Sequence, residues 1–303
     1  MPRAATARGC EIMEYFLKGH TACAGCACAL TMRHVLETLG PETIVVNSTG
    51  CMEIVSTPYP RNNWGVPYVH SLFENAASVA GGVSRALKKT GKKGRVICLG
   101  GDGGTYDIGF GALSGAMERN EDVLFVCYDN EAYANTGLQR SGATPFAAAT
   151  TTSPREVGGK GEWKKNLTFI AAAHAIPYAA SASIAFLPDL KAKLQKAASI
   201  KGFKFIDVQS PCNLAWKIPS NKSIETARLA VDCGLWNLFE IENGAFKLSR
   251  PIGTKPVQDY LKAQGRFAGV TAEQVAAIDK HARETKAELE KLEKAGLNFA
   301  RFL

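Results

Sequence analysis

The stretch RVICLGGDGG, residues 95–104, decides the fold. Its first half, 95–99, is a short apolar run of the kind that forms a strand buried on both faces of a sheet. Its second half is rich in glycine, which lets the backbone turn sharply and lets another group approach it closely. A buried strand that ends in such a turn predicts the edge of a parallel sheet at which ligands bind.

Apolar runs of the same kind recur along the chain and predict a sheet. Three more runs predict parallel strands, at residues 43–46, 123–128 and 203–208. The intervening segments have helical spacing, which predicts helices at residues 74–89, 107–118 and 188–199. Strands that alternate with helices predict an α/β fold with a doubly wound parallel sheet.

The end of the chain differs from the rest in composition. We predict a main domain at residues 1–250 and a C-terminal extension at 251–303. Thr271 and Gln274 form a capping-box pattern ahead of a charged helix at 272–295. Because the apolar stripe of that helix is thin, we expect it to pack on the domain or on a partner subunit, or to be a plain surface helix.

The composition excludes some classes of function. Of the 303 residues, 46% are hydrophobic, which is enough for one large α/β domain. No apolar run approaches the ~20 residues that cross a bilayer, and no secretory signal pattern opens the chain, so we expect a cytoplasmic protein without a membrane span. The net charge of +8 fits a basic surface, an acidic partner or a phosphorylated cofactor. The basic residues are scattered, so nucleic acid is not expected.

Asp102 is the unusual member of the glycine-rich turn, because a carboxylate would repel a phosphate bound there. A Mg²⁺ ion between the two removes the conflict, since it takes oxygen ligands from both. Gly101, Gly103 and Gly104 let the backbone approach a diphosphate closely, and the helix predicted after them points its N-terminus at the same place. The turn therefore predicts a Mg²⁺–diphosphate site.

The next predicted strand ends in polar residues that can complete this site. Asn130 lies 28 residues beyond the first carboxylate, one strand–helix–strand unit away, so both lie at the same sheet edge. Its side-chain oxygen and the Ala132 carbonyl are suitable Mg²⁺ ligands. Asn135, Thr136 and Gly137 then offer an amide, a hydroxyl and a close backbone to the diphosphate and the ring attached to it.

Gly-Asp-Gly followed by this asparagine resembles the thiamine-diphosphate motif, which implies thiamine diphosphate as the cofactor. One departure is that Asp129-Asn130 stands where many members have Asn-Asn. The alternatives are a structural glycine turn or another nucleotide. A dinucleotide is disfavoured, because no G-x-G-x-x-G occurs here with the usual acidic residue after the next strand.

Nine cysteines are many for a cytosolic chain, and an odd count argues against full disulfide pairing. Cys23 and Cys26 form a C-x-x-C, while Cys51 and Cys212 each follow a predicted strand at the edge of the diphosphate site. Four converging thiolates suit an iron–sulfur cluster or a Zn²⁺ ion, and both remain open at this point. A redox cluster explains better why the thiolates would gather beside a thiamine cofactor.

The other cysteines carry weaker expectations. Cys98 and Cys127 lie inside strand-like runs, so we expect them to be buried structural residues. We expect Cys28 to be a packing residue, with cluster ligation as the alternative. Cys10 and Cys233 have no assigned role.

The whole pattern resembles a family, the β subunits of the 2-oxoacid:ferredoxin oxidoreductases, typified by pyruvate:ferredoxin oxidoreductase. The match covers roughly residues 15–215. The features that carry it are Gly19-His20 before the C-x-x-C, Thr49-Gly50-Cys51, the motif HSLFENA at 70–76, and the segments 101–111 and 129–145.

The resemblance implies the sheet type, the site residues and the cofactors. It implies a thiamine-diphosphate-binding fold, and it places Thr49 and Gly50 in the cofactor site and Asn135 at the reacting centre. It implies that Mg²⁺ is held by Asp102, Asn130 and the Ala132 carbonyl. It further implies that one [4Fe-4S] cluster is ligated by Cys23, Cys26, Cys51 and Cys212.

The resemblance also implies the reaction and the partners. Such enzymes decarboxylate a 2-oxoacid oxidatively, pass electrons to ferredoxin and usually transfer the acyl group to coenzyme A. This chain carries neither a second thiamine domain nor a run of eight ferredoxin-type cysteines, so the α subunit and the γ- and δ-type subunits are expected to supply them. Pyruvate is the first expectation for the substrate.

Arg140 lies just past the cofactor loop, where it can pair with a substrate carboxylate or form a subunit-interface ion pair. An added arginine suits a dicarboxylate, so the first alternative is an oxalate oxidoreductase subunit that works without coenzyme A. The second is a non-redox thiamine-dependent decarboxylase with structural zinc, and the third is a non-catalytic assembly subunit. For His20 and His70 we expect structural hydrogen bonding, with a place near the cofactor as the alternative.

Overall fold

The computed structural model describes residues 4–7 and 10–296, with side chains from residue 14 onward. A short antiparallel hairpin, β1 (Ala4–Ala7) and β2 (Cys10–Met13), stands apart from the main sheet. The Cys10 side chain lies outside the described part of the chain.

A single sheet of eight strands forms the centre of the described molecule. The strands are β3 (Thr43–Ser48), β4 (Tyr68–Ser71), β5 (Arg95–Gly101), β6 (Leu124–Asp129), β7 (Tyr178–Ser183), β8 (Lys204–Gln209), β9 (Phe239–Glu242) and β10 (Ala245–Leu248). Their order is β10-β9-β7-β8-β6-β5-β3-β4. The six strands from β7 to β4 are parallel, which confirms the predicted parallel sheet, whereas β9 and β10 add an antiparallel edge that the sequence analysis did not predict.

Helices cover both faces of the sheet. They are α1 (Ala27–Leu39), α2 (Cys51–Ser56), α3 (Ala76–Thr90), α4 (Phe110–Glu118), α5 (Leu167–Ala172), α6 (Leu187–Ser199), α7 (Ser223–Asp232), α8 (Val257–Lys262) and α9 (Ala272–Ala295). Along β6, Leu124 and Val126 pack with α1 and α6, while Phe125 and Cys127 pack with α3, α4 and α5 on the other face. Alternate residues of one strand thus fill two cores, as a doubly wound sheet requires.

The helix predicted at 107–118 begins earlier and differently. Directly after Asp102, residues Gly103–Ile108 form one wide helical turn in which the Gly109 N–H bonds to the Gly104 carbonyl at 2.9 Å. Such π-type turns are rare and occur mostly within or beside helices at functional sites. The α-helical part starts only at Phe110.

The C-terminal helix α9 has the predicted capping box, in which Thr271 and Gln274 bond reciprocally to each other's backbone N–H. Leu289 of α9 packs into the same core as the β10 strand. A further core joins Tyr260 and Ile278 to Ala132 beside the predicted site, so this core has members on both sides of residue 250. The division of domains at that residue stays a prediction. In the described part of the chain, no helix is long and apolar enough to cross a membrane.

Candidate functional site

Asp102 and Asn130 are neighbours because the strands that precede them are neighbours. In the parallel pair β5–β6, Gly101 is in register with Tyr128, so both strands end at the same edge of the sheet. There the Asn130 backbone N–H donates to Asp102 Oδ1 at 3.2 Å. The sheet edge therefore brings together the two side chains that the sequence predicts as Mg²⁺ ligands.

Asp102 is completely buried and has few partners for a carboxylate. Ser141, which the sequence analysis did not single out, donates its hydroxyl to Asp102 Oδ2 at 2.5 Å. Burial, and then the nearby Asp129, raise the pKa of Asp102 well above its usual value. A divalent cation is the kind of group that would keep such a carboxylate ionised.

Asn130 is held so that one atom stays free. Its backbone carbonyl accepts from Trp216 Nε1 at 2.8 Å, and its side-chain Nδ2 donates to Cys28 Sγ at 3.6 Å. Its Oδ1 is buried and has no hydrogen-bond partner among the described residues. A buried amide oxygen is normally satisfied, so this atom is available to accept or coordinate a ligand. A carboxylate and a free amide oxygen at one sheet edge fit the hard, oxygen-based coordination of Mg²⁺.

The glycines of the turn are needed for contacts within the protein as well as for any diphosphate. A Cβ on Gly103 would lie 2.4 Å from the Tyr133 ring, whose hydroxyl donates to the Gly103 carbonyl at 3.0 Å. A Cβ on Gly104 would lie 3.3 Å from the Phe73 carbonyl oxygen. Gly101 is the last residue of β5. The close packing of Tyr133 therefore accounts for part of the pattern that the sequence analysis assigned to a ligand.

The predicted cofactor loop, residues 135–137, is exposed and lies beside Cys51. The Asn135 backbone N–H acts on the Cys51 thiol in the direction that lowers its pKa. The Thr136 hydroxyl donates to Gln139 Oε1 at 2.7 Å, and Thr151 donates to the Gly137 carbonyl at 2.8 Å. The loop thus contacts the cysteine region, and its hydroxyl already has an internal partner.

Thr49 and Gly50 connect β3 to this region. The Thr49 hydroxyl and His70 Nε2 are 2.8 Å apart, which gives His70 a structural hydrogen bond. A Cβ on Gly50 would lie 2.9 Å from the Tyr128 hydroxyl. That hydroxyl is buried without a partner in the described residues, so a second unsatisfied polar atom lies near the same edge.

The four predicted ligand cysteines gather at this edge and affect one another electrostatically. Cys23 is exposed, whereas the other three are partly buried. Burial, then Cys212 and Cys26, raise the pKa of Cys51 to about 12. Burial raises the pKa of Cys212, and the nearby Cys26 and Cys23 raise it further. Asp102 is among the groups that act on Cys51, so the cysteines adjoin the diphosphate site.

Cys28 is more than a packing residue in this arrangement. It is buried, and its hydrogen bond with Cys26 is the main cause that lowers the pKa of the Cys26 thiol to about 7. Its sulfur also accepts from Asn130 and donates to the Ser210 carbonyl at 3.5 Å. Cys28 therefore lies between Cys26, a predicted cluster ligand, and Asn130, a predicted Mg²⁺ ligand.

The shape of the C-x-x-C loop depends on the glycine within it. Gly25 has φ +78°, and a Cβ there would lie 1.9 Å from the Ser220 carbonyl oxygen. Ser223 donates to the Gly25 carbonyl at 2.7 Å. The loop is thus pressed against the segment that follows Cys212, which brings the two parts of the cysteine group together.

The remaining cysteines lie elsewhere. Cys98 and Cys127 are fully buried in β5 and β6, as predicted, and Cys233 is buried with its thiol 2.7 Å from the Leu229 carbonyl. Within residues 4–7 and 10–296, no three Cys, His, Asp or Glu side chains are grouped so that they could hold a metal ion. His20 stacks on Phe16 with ring centroids 5.1 Å apart.

Arg140 lies at the surface. Its side chain is 42% exposed, and Nη2 is 3.7 Å from Glu162 Oε2, in an ion pair whose carboxylate is still more exposed. An exposed pair of this kind contributes little to stability. The guanidinium is therefore held only weakly where it lies.

A buried charge network beneath the loop was not predicted. Lys164 Nζ lies 2.5 Å from Asp129 Oδ2 and 3.1 Å from Glu131 Oε1, and Arg266 Nη2 lies 2.6 Å from Glu131 Oε2. Burial would raise the pKa of Glu131, but the two cations lower it below its usual value. Asp129, which departs from the motif, thus has a defined partner in Lys164.

Comparisons with known proteins identify relatives of this chain. The family model described as the thiamine pyrophosphate enzyme C-terminal TPP-binding domain matches residues 48–208. The chain is 51% identical over 282 residues to the pyruvate synthase subunit PorB of Methanocaldococcus jannaschii, covering 89% of this chain and 95% of the relative. It is 43% identical to the ketoisovalerate oxidoreductase subunit VorB of Pyrococcus furiosus, covering 92% and 93%.

A solved structure shares the fold. The 2-oxoglutarate:ferredoxin oxidoreductase of Magnetococcus marinus superposes with a TM-score of 0.59 at 20% identity, covering 73% of this chain and 82% of the other. At that level of identity the likeness speaks to the α/β fold alone.

Proposed function

Since the chain belongs to the 2-oxoacid:ferredoxin oxidoreductase β-subunit family, we propose that it forms the cofactor-binding half of an enzyme that oxidatively decarboxylates a 2-oxoacid and passes the electrons to ferredoxin. The observation that carries the proposal is the meeting of two unlike groups at one sheet edge. A buried Asp102 with a free Asn130 Oδ1 lies beside Cys51 and its neighbouring thiols.

The diphosphate would be held through Mg²⁺. The ligands in this proposal are Asp102, Asn130 Oδ1 and the Ala132 carbonyl, all at the ends of neighbouring parallel strands. The raised pKa of Asp102 and the unpartnered Oδ1 support it, because a divalent cation would satisfy both. Thr49, Gly50 and the glycines of the turn would line the rest of the cofactor site, together with Thr136 and Gly137.

The thiols would hold one [4Fe-4S] cluster through Cys23, Cys26, Cys51 and Cys212. These side chains act on one another electrostatically, and Asp102 of the proposed Mg²⁺ site acts on Cys51. A redox cluster beside a thiamine cofactor could accept electrons from it, whereas a structural Zn²⁺ could not. We therefore propose the cluster rather than the structural zinc alternative.

When bound, thiamine diphosphate supplies the electron sink for loss of CO₂. The part of this chain is to position that cofactor and to offer a nearby electron acceptor. Asn135 would face the reacting centre, as the family resemblance implies, and its backbone N–H acts on the Cys51 thiol. Arg140 would pair with the substrate carboxylate, for which it is available because Glu162 holds it only through an exposed contact.

Pyruvate is the substrate we propose, because a relative at 51% identity is named a pyruvate synthase subunit. Coenzyme A as the acyl acceptor belongs to the same proposal. The relative named for ketoisovalerate keeps branched 2-oxoacids as the next class to test. Partner subunits of the α and γ/δ type would supply the second thiamine domain and ferredoxin-type clusters. A cytoplasmic location is part of the same proposal.

An anaerobic co-purification followed by a substrate screen tests this function. The complex would be assayed for viologen reduction with pyruvate, oxalate, 2-oxoglutarate and branched 2-oxoacids, each with and without coenzyme A. We expect a brown protein that reduces viologen with pyruvate and coenzyme A. Reduction with oxalate and without coenzyme A would instead identify an oxalate oxidoreductase, and a colourless, zinc-loaded complex would overturn the redox proposal. A folded complex that binds no thiamine diphosphate would indicate an assembly role.

A further inference from the structure

The loop that carries two of the proposed Mg²⁺ ligands contains a residue in an unusual backbone conformation. Glu131, between Asn130 and Ala132, has φ +62° and is 4% exposed. Residues with a long side chain rarely adopt this left-handed conformation, and they keep it where the surrounding structure enforces it. The directions of the Asn130 side chain and of the Ala132 carbonyl both depend on this backbone.

Three side chains from distant parts of the chain hold Glu131. Thr144 donates its hydroxyl to the Glu131 carbonyl at 2.7 Å, and Lys164 Nζ lies 3.1 Å from Oε1. Arg266 donates to Oε2 at 2.6 Å. Lys164 also pairs with Asp129 at the end of β6, whereas Arg266 pairs with the carboxylate of Glu131.

The Arg266 side chain is buried and is held by hydrogen bonds and a ring contact. It is 2% exposed, its Nε donates to Gln264 at 2.9 Å, and its Nη2 donates to the Tyr260 hydroxyl at 3.1 Å. Its guanidinium lies 3.9 Å from the centre of the Trp216 ring, whose Nε1 donates to the Asn130 carbonyl. Arg266 therefore acts on the loop twice, directly through Glu131 and by packing on the side chain that holds Asn130.

We propose that Arg266 is a positioning residue for the Mg²⁺–diphosphate site, which it serves by holding Glu131 in its left-handed conformation. The inference rests on the proposed function to the extent that this loop binds Mg²⁺. It extends the site into the part of the chain that follows residue 250. The matched thiamine-binding model ends at residue 208, so it does not include this arginine.

The test compares three variants in the full complex: Arg266→Met, Arg266→Lys and, as the matched control, Arg155→Met. Arg155 is an exposed arginine that lines the same cavity as Glu131 and Arg266, and it bonds to the Gly265 carbonyl at 3.3 Å rather than to Glu131. Cofactor-depleted complex would be titrated with thiamine diphosphate at fixed Mg²⁺, and with Mg²⁺ at fixed thiamine diphosphate, by intrinsic fluorescence. Thermal unfolding and visible absorbance would be recorded on the same samples.

For Arg266→Met we expect the half-saturating concentrations of both ligands to rise about 10- to 100-fold, the range typical when a partner of a metal ligand is removed. Visible absorbance from the iron–sulfur cluster should stay at the wild-type level. Arg266→Lys, which keeps the charge but loses the planar fork, should recover part of the affinity. Arg155→Met should bind as the wild type does.

Folded Arg266→Met complex with wild-type half-saturation would overturn the inference and leave the proposed function intact. If Arg266→Met does not fold, Arg266→Lys tests the inference instead. Wild-type affinity of that variant for thiamine diphosphate and Mg²⁺ would overturn it, because the planar guanidinium and its stacking on Trp216 would then not matter. Wild-type complex that binds no thiamine diphosphate would instead contradict the proposed function itself.

Discussion

The two ends of the parallel strands in the central sheet differ in the polar groups that lie there. At the edge where the parallel strands begin lies the larger cavity, about 1130 Å³, lined mainly by charged side chains. Two of its acidic groups are paired, with Lys204 Nζ 2.7 Å from Asp122 and Arg85 2.7 Å from Glu121. At the opposite edge Asn130 Oδ1 and the Tyr128 hydroxyl are buried without partners in the described residues.

Under the proposed function, the cofactor binds away from this larger cavity. One of the basic side chains of this cavity, Lys88, lies in the last turn of α3, where a helix C-terminus favours positive charge. The opposite edge keeps buried polar atoms unsatisfied, which costs stability unless a ligand compensates. Substitutions matched across the two edges can break or sharpen this contrast.

The largest effect is expected for Asp102→Asn. Losing the buried carboxylate removes the anionic Mg²⁺ ligand, so the purified complex should contain little thiamine diphosphate and should lose turnover. Cofactor content after gel filtration and viologen reduction measure this. The matched Asp122→Asn should keep its cofactor and lower the free energy of unfolding by about 1 kcal/mol, because the amide still accepts from Lys204. Stoichiometric cofactor in Asp102→Asn would remove the contrast between the edges.

Cys51→Ala should remove one cluster without removing the thiamine site. We expect iron and acid-labile sulfide to fall by one [4Fe-4S] equivalent per chain, with a matching loss of visible absorbance. The control is Cys98→Ala in the core of β5, which should leave the iron content unchanged and cost about 1 kcal/mol of stability. Equal iron in wild type and Cys51→Ala would rule out this cysteine as a ligand.

Arg140→Met should act on the substrate alone. If the guanidinium pairs with the substrate carboxylate, KM for pyruvate should rise about 10- to 100-fold, as expected for losing a hydrogen bond to a charged group worth ~1.5–3 kcal/mol. Cofactor and iron content should not change. Glu162→Gln, which removes the present partner of Arg140, should leave KM within about twofold, since exposed ion pairs are weak. Unchanged kinetics in Arg140→Met would end the substrate role.

The smallest effect is expected for Cys28→Ala. Asn130 Nδ2 then loses its acceptor, so the amide is less firmly oriented and the affinity for Mg²⁺ should fall about 2- to 10-fold, in line with one neutral hydrogen bond. Cys28→Ser restores an acceptor and should bind nearly as the wild type does. Iron content should be unchanged in both, and its loss would show that Cys28 is a cluster ligand instead.

Much of the fold could be predicted because the central strands are apolar on both faces. Strand β7 was missed because its sequence, YAASAS, has small residues where buried strands usually carry Val or Ile, although all six positions are buried. The hairpin of β9 and β10 did carry a signal. Asn243 and Gly244 both have positive φ, as the Asn-Gly turn of a hairpin requires, and this dipeptide was open to prediction.

Some residues of the site could likewise be predicted from the sequence, and others could not. Asp102, Asn130, Cys51 and Cys212 could be placed together from sequence, because each follows a strand of one parallel sheet. Ser141, Trp216 and Arg266 could not, because their partners lie 39, 86 and 135 residues away and no local pattern marks them. They meet the site through loops and the C-terminal segment, whose paths only the tertiary structure reveals.

The most direct test of the central claim is whether the thiamine site and the cluster of this chain work as a pair. Pyruvate and coenzyme A would be added anaerobically to wild-type and Cys51→Ala complexes of equal thiamine diphosphate content, without an external acceptor, and the visible absorbance followed. The account predicts rapid bleaching in the wild type and none beyond a slow background in Cys51→Ala. Bleaching of the partner subunits' clusters in Cys51→Ala at the wild-type rate would contradict it, because electrons would then leave the thiamine site without passing through this cluster.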